Sequence, residues 1–152
     1  MRTAFRFLLA LSVALPISGA ELTSNSNRFA VAGLNEAEVR SFFELLQDAV
    51  RAERNEQLAD LFNYPFTVYA SSGERVIRDR AQFLSDPAVV FNKRVREQIL
   101  SQRFDDLFAN WQGVMIGRGV LWFGGICDPG SPPDSCLNYK IRIYAINQDA
   151  PM

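Results

Sequence analysis

The sequence predicts an α+β fold, a curved antiparallel sheet with helices packed on one face. Three observations carry this. Apolar residues recur at helical spacing over residues 35–63 and again over 79–102. Strict alternation governs residues 137–145, and turns bearing glycine or proline separate the strand-like runs. The order is two helices, a hairpin, two helices and three antiparallel strands.

The first helix begins at Asn35. Its side chain suits an N-cap, and Glu38 three residues on completes a capping box. Leu34 and Val39 stand where a hydrophobic staple would. Val39, Phe42, Phe43, Leu46, Ala49 and Val50 then recur at helical spacing, with Arg40, Glu44, Gln47 and Arg51 on the other side. A second helical segment, NEQLADLFN, brings Leu58, Leu61 and Phe62 to one face. In YPFTVYASSGERVIRD the period changes. Phe66, Val68 and Ala70 alternate with Thr67 and Tyr69, Ser71-Ser72-Gly73 turns, and Glu74 to Arg78 returns. Asp79 caps RAQFLSD. Pro87 starts a further helical run, PAVVFNKRVREQILSQ, with Val90, Phe91, Val95, Ile99 and Leu100 as its apolar set.

From Asp105 to Ile116 the chain reads as one apolar strand. Gly117-Arg118-Gly119 is a short turn, and Gly119 to Cys127 returns. GVLWFGGI is apolar on both faces, as a central strand is. In CLNYKIRIYAIN, Leu137, Tyr139, Ile141, Ile143 and Ala145 face one way, and Asn138, Lys140 and Arg142 the other.

Residues 1–20 read as a secretory signal peptide. Arg2 and Arg6 make a basic start, Phe7 to Pro16 an apolar run too short to span a bilayer, and Ser18 and Ala20 a small-residue cleavage site. No cysteine follows that run, which argues against a lipid anchor, and no later stretch is apolar enough to span. Residues 21–34 read as a flexible leader and 35–152 as one domain, large enough to bury a core. Without Arg2 and Arg6, fourteen basic residues face seventeen acidic ones, a net charge of −3. That balance suits neither a nucleic-acid surface nor an electrostatic membrane footprint.

Histidine is absent, which removes Ser-His-Asp and Cys-His catalysis, imidazole-ligated metals and an imidazole base. Cys127 and Cys136 flank the Pro/Gly loop DPGSPPDS, and in an exported chain they most simply form a disulfide. Closing that loop stabilises by roughly 2–3 kcal/mol on the chain-entropy model. Two ligands are too few for zinc, and the spacing is not that of a C-x-x-C redox pair.

The stretch NWQGVMIGRGVLWFGGIC, residues 110–127, holds both tryptophans. It reads either as a buried hairpin whose glycines permit bending and bulges, or as part of a pocket mouth. In the second reading Asn110, Trp111 and Trp122, with Tyr64 or Tyr139, line the ligand. Other candidates are weaker. Asp105 and Asp106, as strand neighbours, point to opposite faces and read as solvated turn acids. Asp48 falls beside the polar stripe of the first helix as readily as the apolar one, and only from the apolar side would it serve as a general base inside the cone. Arg94, Arg96 and Glu97 read as a solvated helix face, and SPPDS as turn chemistry.

The segments LFNYPF, VIRDRAQFL, VREQILSQ, LFANWQGVMIGRGVLWFGG and KIRIYAIN, in this order, resemble small exported bacterial proteins of the nuclear-transport-factor-two-like (cystatin-like) superfamily. The resemblance covers about residues 35–147 and lies more in the order of elements than in motifs. It implies a cone, in which a bent sheet wraps around N-terminal and central helices and leaves a pocket at the open end. Members include ketosteroid isomerases, dehydratases, accessory domains of cell-wall enzymes and many binding proteins without catalysis. The tyrosine-plus-aspartate isomerase constellation does not map onto this chain, and the histidine–aspartate pair of some dehydratases cannot exist in it. A shared fold does not carry a function.

Together these readings give a non-enzymatic periplasmic or secreted binding module, with no catalytic residue, cofactor or metal. It would hold a small apolar or amphipathic ligand or a cell-envelope protein partner at the open end of the cone, a homodimer through the sheet being one form of partnership. One alternative is a small isomerase- or hydratase-like pocket enzyme using a buried Asp or Tyr. Another is an inhibitor or immunity-type protein. A polar-tipped cavity with an Asp inside favours the enzyme, and a filled cone with an exposed apolar patch favours the partner-binding readings.

Overall fold

The computed structural model describes residues 27–127, 130, 136 and 138–151. Helix α1 spans Glu36–Arg51, α2 Asn55–Asp60, α3 Arg80–Ser85 and α4 Lys93–Ser101. The strands are β1 Phe62–Ala70, β2 Gly73–Ile77, β3 Phe108–Asn110, β4 Gly113–Ile116, β5 Leu121–Cys127 and β6 Tyr139–Asn147. They form one open, curved, six-stranded sheet in the order β2-β1-β6-β5-β4-β3. The α+β class therefore stands. The signal-peptide segment lies outside the described residues, as do Leu137 and most of the loop between the cysteines.

Helix α1 starts where its cap dictates. Asn35 Oδ1 accepts the Ala37 N–H at 2.8 Å, Glu36 and Glu38 sit at the positive end of the helix dipole, and Arg51 sits in the last turn. The six apolar residues of its predicted stripe are all buried. The helix stops in a Schellman arrangement, with Arg54 N–H bonded to Ala49 O at 2.9 Å and Glu53 in the left-handed region at φ 52°. Asp79 caps α3 through the Gln82 N–H at 2.8 Å. Residues 27–34, predicted as part of a loose leader, are instead packed. A short 3-10 turn buries Phe29 completely, and Leu34 is buried beside it in the core.

Four other expectations are corrected. The sheet is mixed rather than antiparallel, because β1 pairs with β6 in parallel while every other pair is antiparallel. Alternation marks which face a side chain takes and carries no strand direction. The helical run from Pro87 is broken. Residues 87–89 form a 3-10 turn, and Asn92 Oδ1 takes the Val95 N–H at 2.9 Å to cap α4 afresh. The single strand expected from Asp105 to Ile116 divides into a 3-10 turn at Phe104–Asp106 and the β3–β4 hairpin, whose two-residue turn is Trp111-Gln112. In β6 a bulge opposite Trp122 and Phe123 slips the alternation by one residue. Tyr139, Ile141 and Ile143 face inward as expected, but Ala145 turns outward and Ile146 takes its place in the core.

The apolar core lies between the helices and the concave face. Phe29, Phe43, Phe62, Phe66, Phe83, Phe91 and Phe123 are all buried there with the aliphatic residues of α1, α4 and the inner strand positions. Phe62 and Phe66 stack with centroids 4.1 Å apart, and Phe42 meets Phe123 at 4.9 Å. Among the described residues no polar or charged side chain is buried. The sulfurs of Cys127 and Cys136 are at bonding distance, with their Cα atoms 5.6 Å apart. No helix among the described residues is long and apolar enough to cross a membrane.

Candidate functional site

The opposite, convex face of the sheet supplies none of the large buried core side chains, and its aromatic residues line up there by register. Phe108, Met115, Trp122, Ala145, Thr67 and Val76 stand opposite one another in a single row across all six strands. Phe108 is 51% exposed and Val76 49%. Tyr144 lies on the same face because the β6 bulge puts it and Ala145 outward together. Tyr69 follows Thr67 two residues along β1. Trp111 rises from the β3–β4 turn and is 79% exposed.

An open concavity of about 570 Å³ lies on this face, lined by Tyr69, Trp111, Gln112, Trp122, Tyr144 and Asn147 together with Gly119 and Ala145. Local bonds fix its walls. Asn110 Oδ1 accepts the Gln112 N–H at 2.8 Å and holds the turn that carries Trp111. The Tyr144 hydroxyl donates to Gln112 O at 2.8 Å, tying β6 to the same turn across β5. Burial pushes the Tyr144 phenol above its ordinary pKa, so it stays a donor through neutral pH. Asn147 Oδ1 accepts the Asp149 N–H at 3.1 Å. The Gln112 side-chain amide, both indole N–H groups and the Tyr69 hydroxyl have no hydrogen-bond partner among the described residues.

Of the five residues predicted to line a ligand, the structure brings Trp111 and Trp122 together, with Asn110 supporting the turn behind them. Tyr64 and Tyr139 lie elsewhere. Tyr64 packs with Phe62 and Phe66, and its hydroxyl donates to Ala59 O at 2.9 Å. Burial pushes its pKa up to about 12, with nearby Arg80 lowering it and Asp60 and Asp79 raising it in part. Tyr139 stands on the inner face and donates to Glu38 Oε2. That bond, then burial, raises its pKa, against a backbone hydrogen bond from Asn35 that lowers it. Tyr139 thus sits between the two residues that a capping box would join directly.

Tyr144, Tyr69, Gln112 and Asn147 complete the site and were not singled out from the sequence. The available signal was Tyr144 itself, an aromatic residue continuing the Lys140 and Arg142 series on the polar side of β6. The remaining candidates resolve into structural roles. Asp48 is exposed and pairs with Arg51 at 2.6 Å. Asp105 and Asp106 lie in an exposed 3-10 turn, not a strand, and Asp106 faces Arg103 at 3.7 Å. Glu97 is solvated beside Lys93, but its neighbours are not a free face. Arg96 bonds Phe91 O at 3.0 Å and Arg94 bonds Ala150 O, so both arginines fasten α4 to adjoining segments. Among the described residues no group of three or more His, Cys, Asp or Glu side chains is placed to hold a metal ion.

No protein-family model, curated protein or solved structure matches the chain.

Proposed function

We propose that this chain is a non-enzymatic binding module, exported to the periplasm or beyond the cell, that takes its ligand on the convex face of the sheet around Trp111, Trp122 and Tyr144. One observation carries this. The chain's only two tryptophans and two of its four tyrosines gather on one open concavity of the face opposite the buried apolar core. Aromatic rings left in water cost free energy unless something covers them, and an exposed apolar patch rimmed by polar groups marks an interaction surface. The hydroxyls of Tyr64 and Tyr139 bond Ala59 O and Glu38, which favours a binding role over the alternative of a small isomerase- or hydratase-like pocket enzyme. Membership of the nuclear-transport-factor-two-like superfamily is part of the same proposal. It is supported by the order of elements and by a curved sheet packed against α1. The short loop closed by Cys127 and Cys136 supports an oxidising compartment.

The test uses the two tryptophans as reporters. Protein labelled with 5-fluorotryptophan gives one ¹⁹F resonance from Trp111 and one from Trp122. Titration with unlabelled cell-envelope extract should shift or broaden both. Retention of an envelope component with both resonances unmoved would place its binding elsewhere on the molecule.

A further inference from the structure

Resting on that reading of the convex face, we infer that the concavity between Trp111, Trp122 and Tyr144 is a subsite for a neutral oligosaccharide. The lining decides the class. Four aromatic rings and two carboxamides, Gln112 and Asn147, line the space, and among the described residues no Asp, Glu, Lys or Arg does. Glu74, opposite Tyr69 in the hairpin, and Arg118, in the turn before Trp122, stand outside the lining.

A phosphorylated or carboxylated ligand needs a cationic partner to offset its desolvation, and the described lining has none. A cationic ligand would find ring faces but no countercharge. A fully apolar ligand would leave the Gln112 amide and both indole N–H groups without partners as it covered them. A sugar ring satisfies every group. Its C–H face lies on an aromatic plane, and its hydroxyls both donate and accept, as a carboxamide does. About 570 Å³ falls within the range of small-molecule sites. The concavity is open along the sheet, so a longer saccharide can run on past it.

The site is also held in shape before any ligand arrives. Tyr144 is fixed by its bond to Gln112 O, and the Trp111 turn by Asn110. Trp122 is half-buried, and a Cβ on Gly119 would lie 3.7 Å from its Nε1 and 3.7 Å from Met115 Sδ, so that indole is seated against its neighbours. A rigid platform loses little freedom when a ligand settles on it.

The experiment titrates the purified exported protein with defined neutral oligosaccharides (β-1,4-glucan, α-1,4-glucan, β-1,3-glucan and N-acetylglucosamine series), following tryptophan fluorescence and calorimetry. Tetramethylammonium and an oligogalacturonate serve as charged probes. The expected result is saturable binding of one neutral series, with an affinity unchanged between low salt and about 1 M salt because no ion pair forms. Trp111→Ala should abolish it, Trp111→Phe should retain most of it, and Gln112→Ala should weaken it about tenfold, a loss typical of one hydrogen-bonding group. Thermal unfolding of each variant should match the parent, since both side chains are exposed.

Preference for a charged probe, steep salt dependence, or silence towards every neutral series would overturn the saccharide assignment. If the ¹⁹F resonances still respond to envelope extract, only the ligand class fails. If they do not, the binding face fails with it. Self-association lost in Trp111→Ala would assign the face to a second copy of the chain instead.

Discussion

The ring of Tyr144 lies across Gly124, where a Cβ would stand 3.5 Å from its Cε1, and its hydroxyl ends on the Gln112 carbonyl at 2.8 Å. On the other face Tyr139 covers Gly125 in the same way, with its Cδ2 at 3.0 Å from where a Cβ would be. Gly124 pairs with Arg142 and Gly125 with Ile141, so each tyrosine sits on the diagonal position of the neighbouring strand. The Gly124-Gly125 pair thus takes a tyrosine of β6 on each side of β5, with Leu34 also close to Gly125.

Gly113 is the tightest point of this arrangement. A Cβ there would come within 2.5 Å of Phe123 O and 2.8 Å of the Tyr144 hydroxyl, at a φ of 146° that side chains rarely adopt. Gly113→Ala should therefore cost about 3 kcal/mol, and Gly124→Ala, at ordinary contact distance, under about 1 kcal/mol. Urea unfolding midpoints compare them directly. Equal losses would mean that Gly113 does not lie against Phe123 O in this backbone conformation.

Tyr139 links α1 to β6 through Glu38 and the Asn35 backbone. Tyr139→Phe keeps the ring over Gly125 and removes the hydroxyl, which should cost about 1 kcal/mol. Combined with Glu38→Ala, the two losses should fall short of additivity by a similar amount, because each single change already breaks the same bond. Strict additivity in a double-mutant cycle would show the bond to contribute nothing.

Tyr64 makes the fold sensitive to alkali. Its phenol ionises at about 12 in the folded protein against 10.0 ordinarily. The unfolded chain thus gives up this proton first as pH rises. The stabilisation is complete below pH 10 and is lost between about pH 10 and 12. Tyr64→Phe has no such proton, so its stability should decline less steeply over that window than the parent's. Parallel declines, measured as denaturation midpoints at neutral pH and at about pH 11, would exclude a buried phenol at this position.

What the sequence made legible followed local chemistry. Asn35 and Asp79 are caps whose side chains act on backbone two or three residues away, and both helices begin where they stand. The apolar stripe of α1 and the two-faced β5 also read directly, because each period is intrinsic to its element. The site read only in part because register and topology assembled it. Asn92 looks like an interior residue of a long helix until its side chain caps a new one. Trp111 looks like a strand residue until Asn110 and Gly113 close a turn around it. The β6 bulge turns Ala145 outward beside Tyr144, a one-residue slip that no alternation reveals. The parallel pairing that sets Tyr69 beside this group joins strands more than seventy positions apart.

The proposed binding face is tested most directly by two variants that separate the convex side of the sheet from the core side. Trp111→Ala removes a ring from the concavity, whereas Tyr64→Phe removes a hydroxyl bonded to Ala59 O, away from the lining. Retention of envelope material on immobilised protein, measured beside thermal unfolding, should be lost in Trp111→Ala at a parental melting temperature and kept in Tyr64→Phe. Retention kept in Trp111→Ala and lost in Tyr64→Phe would contradict a binding face on the convex side of the sheet.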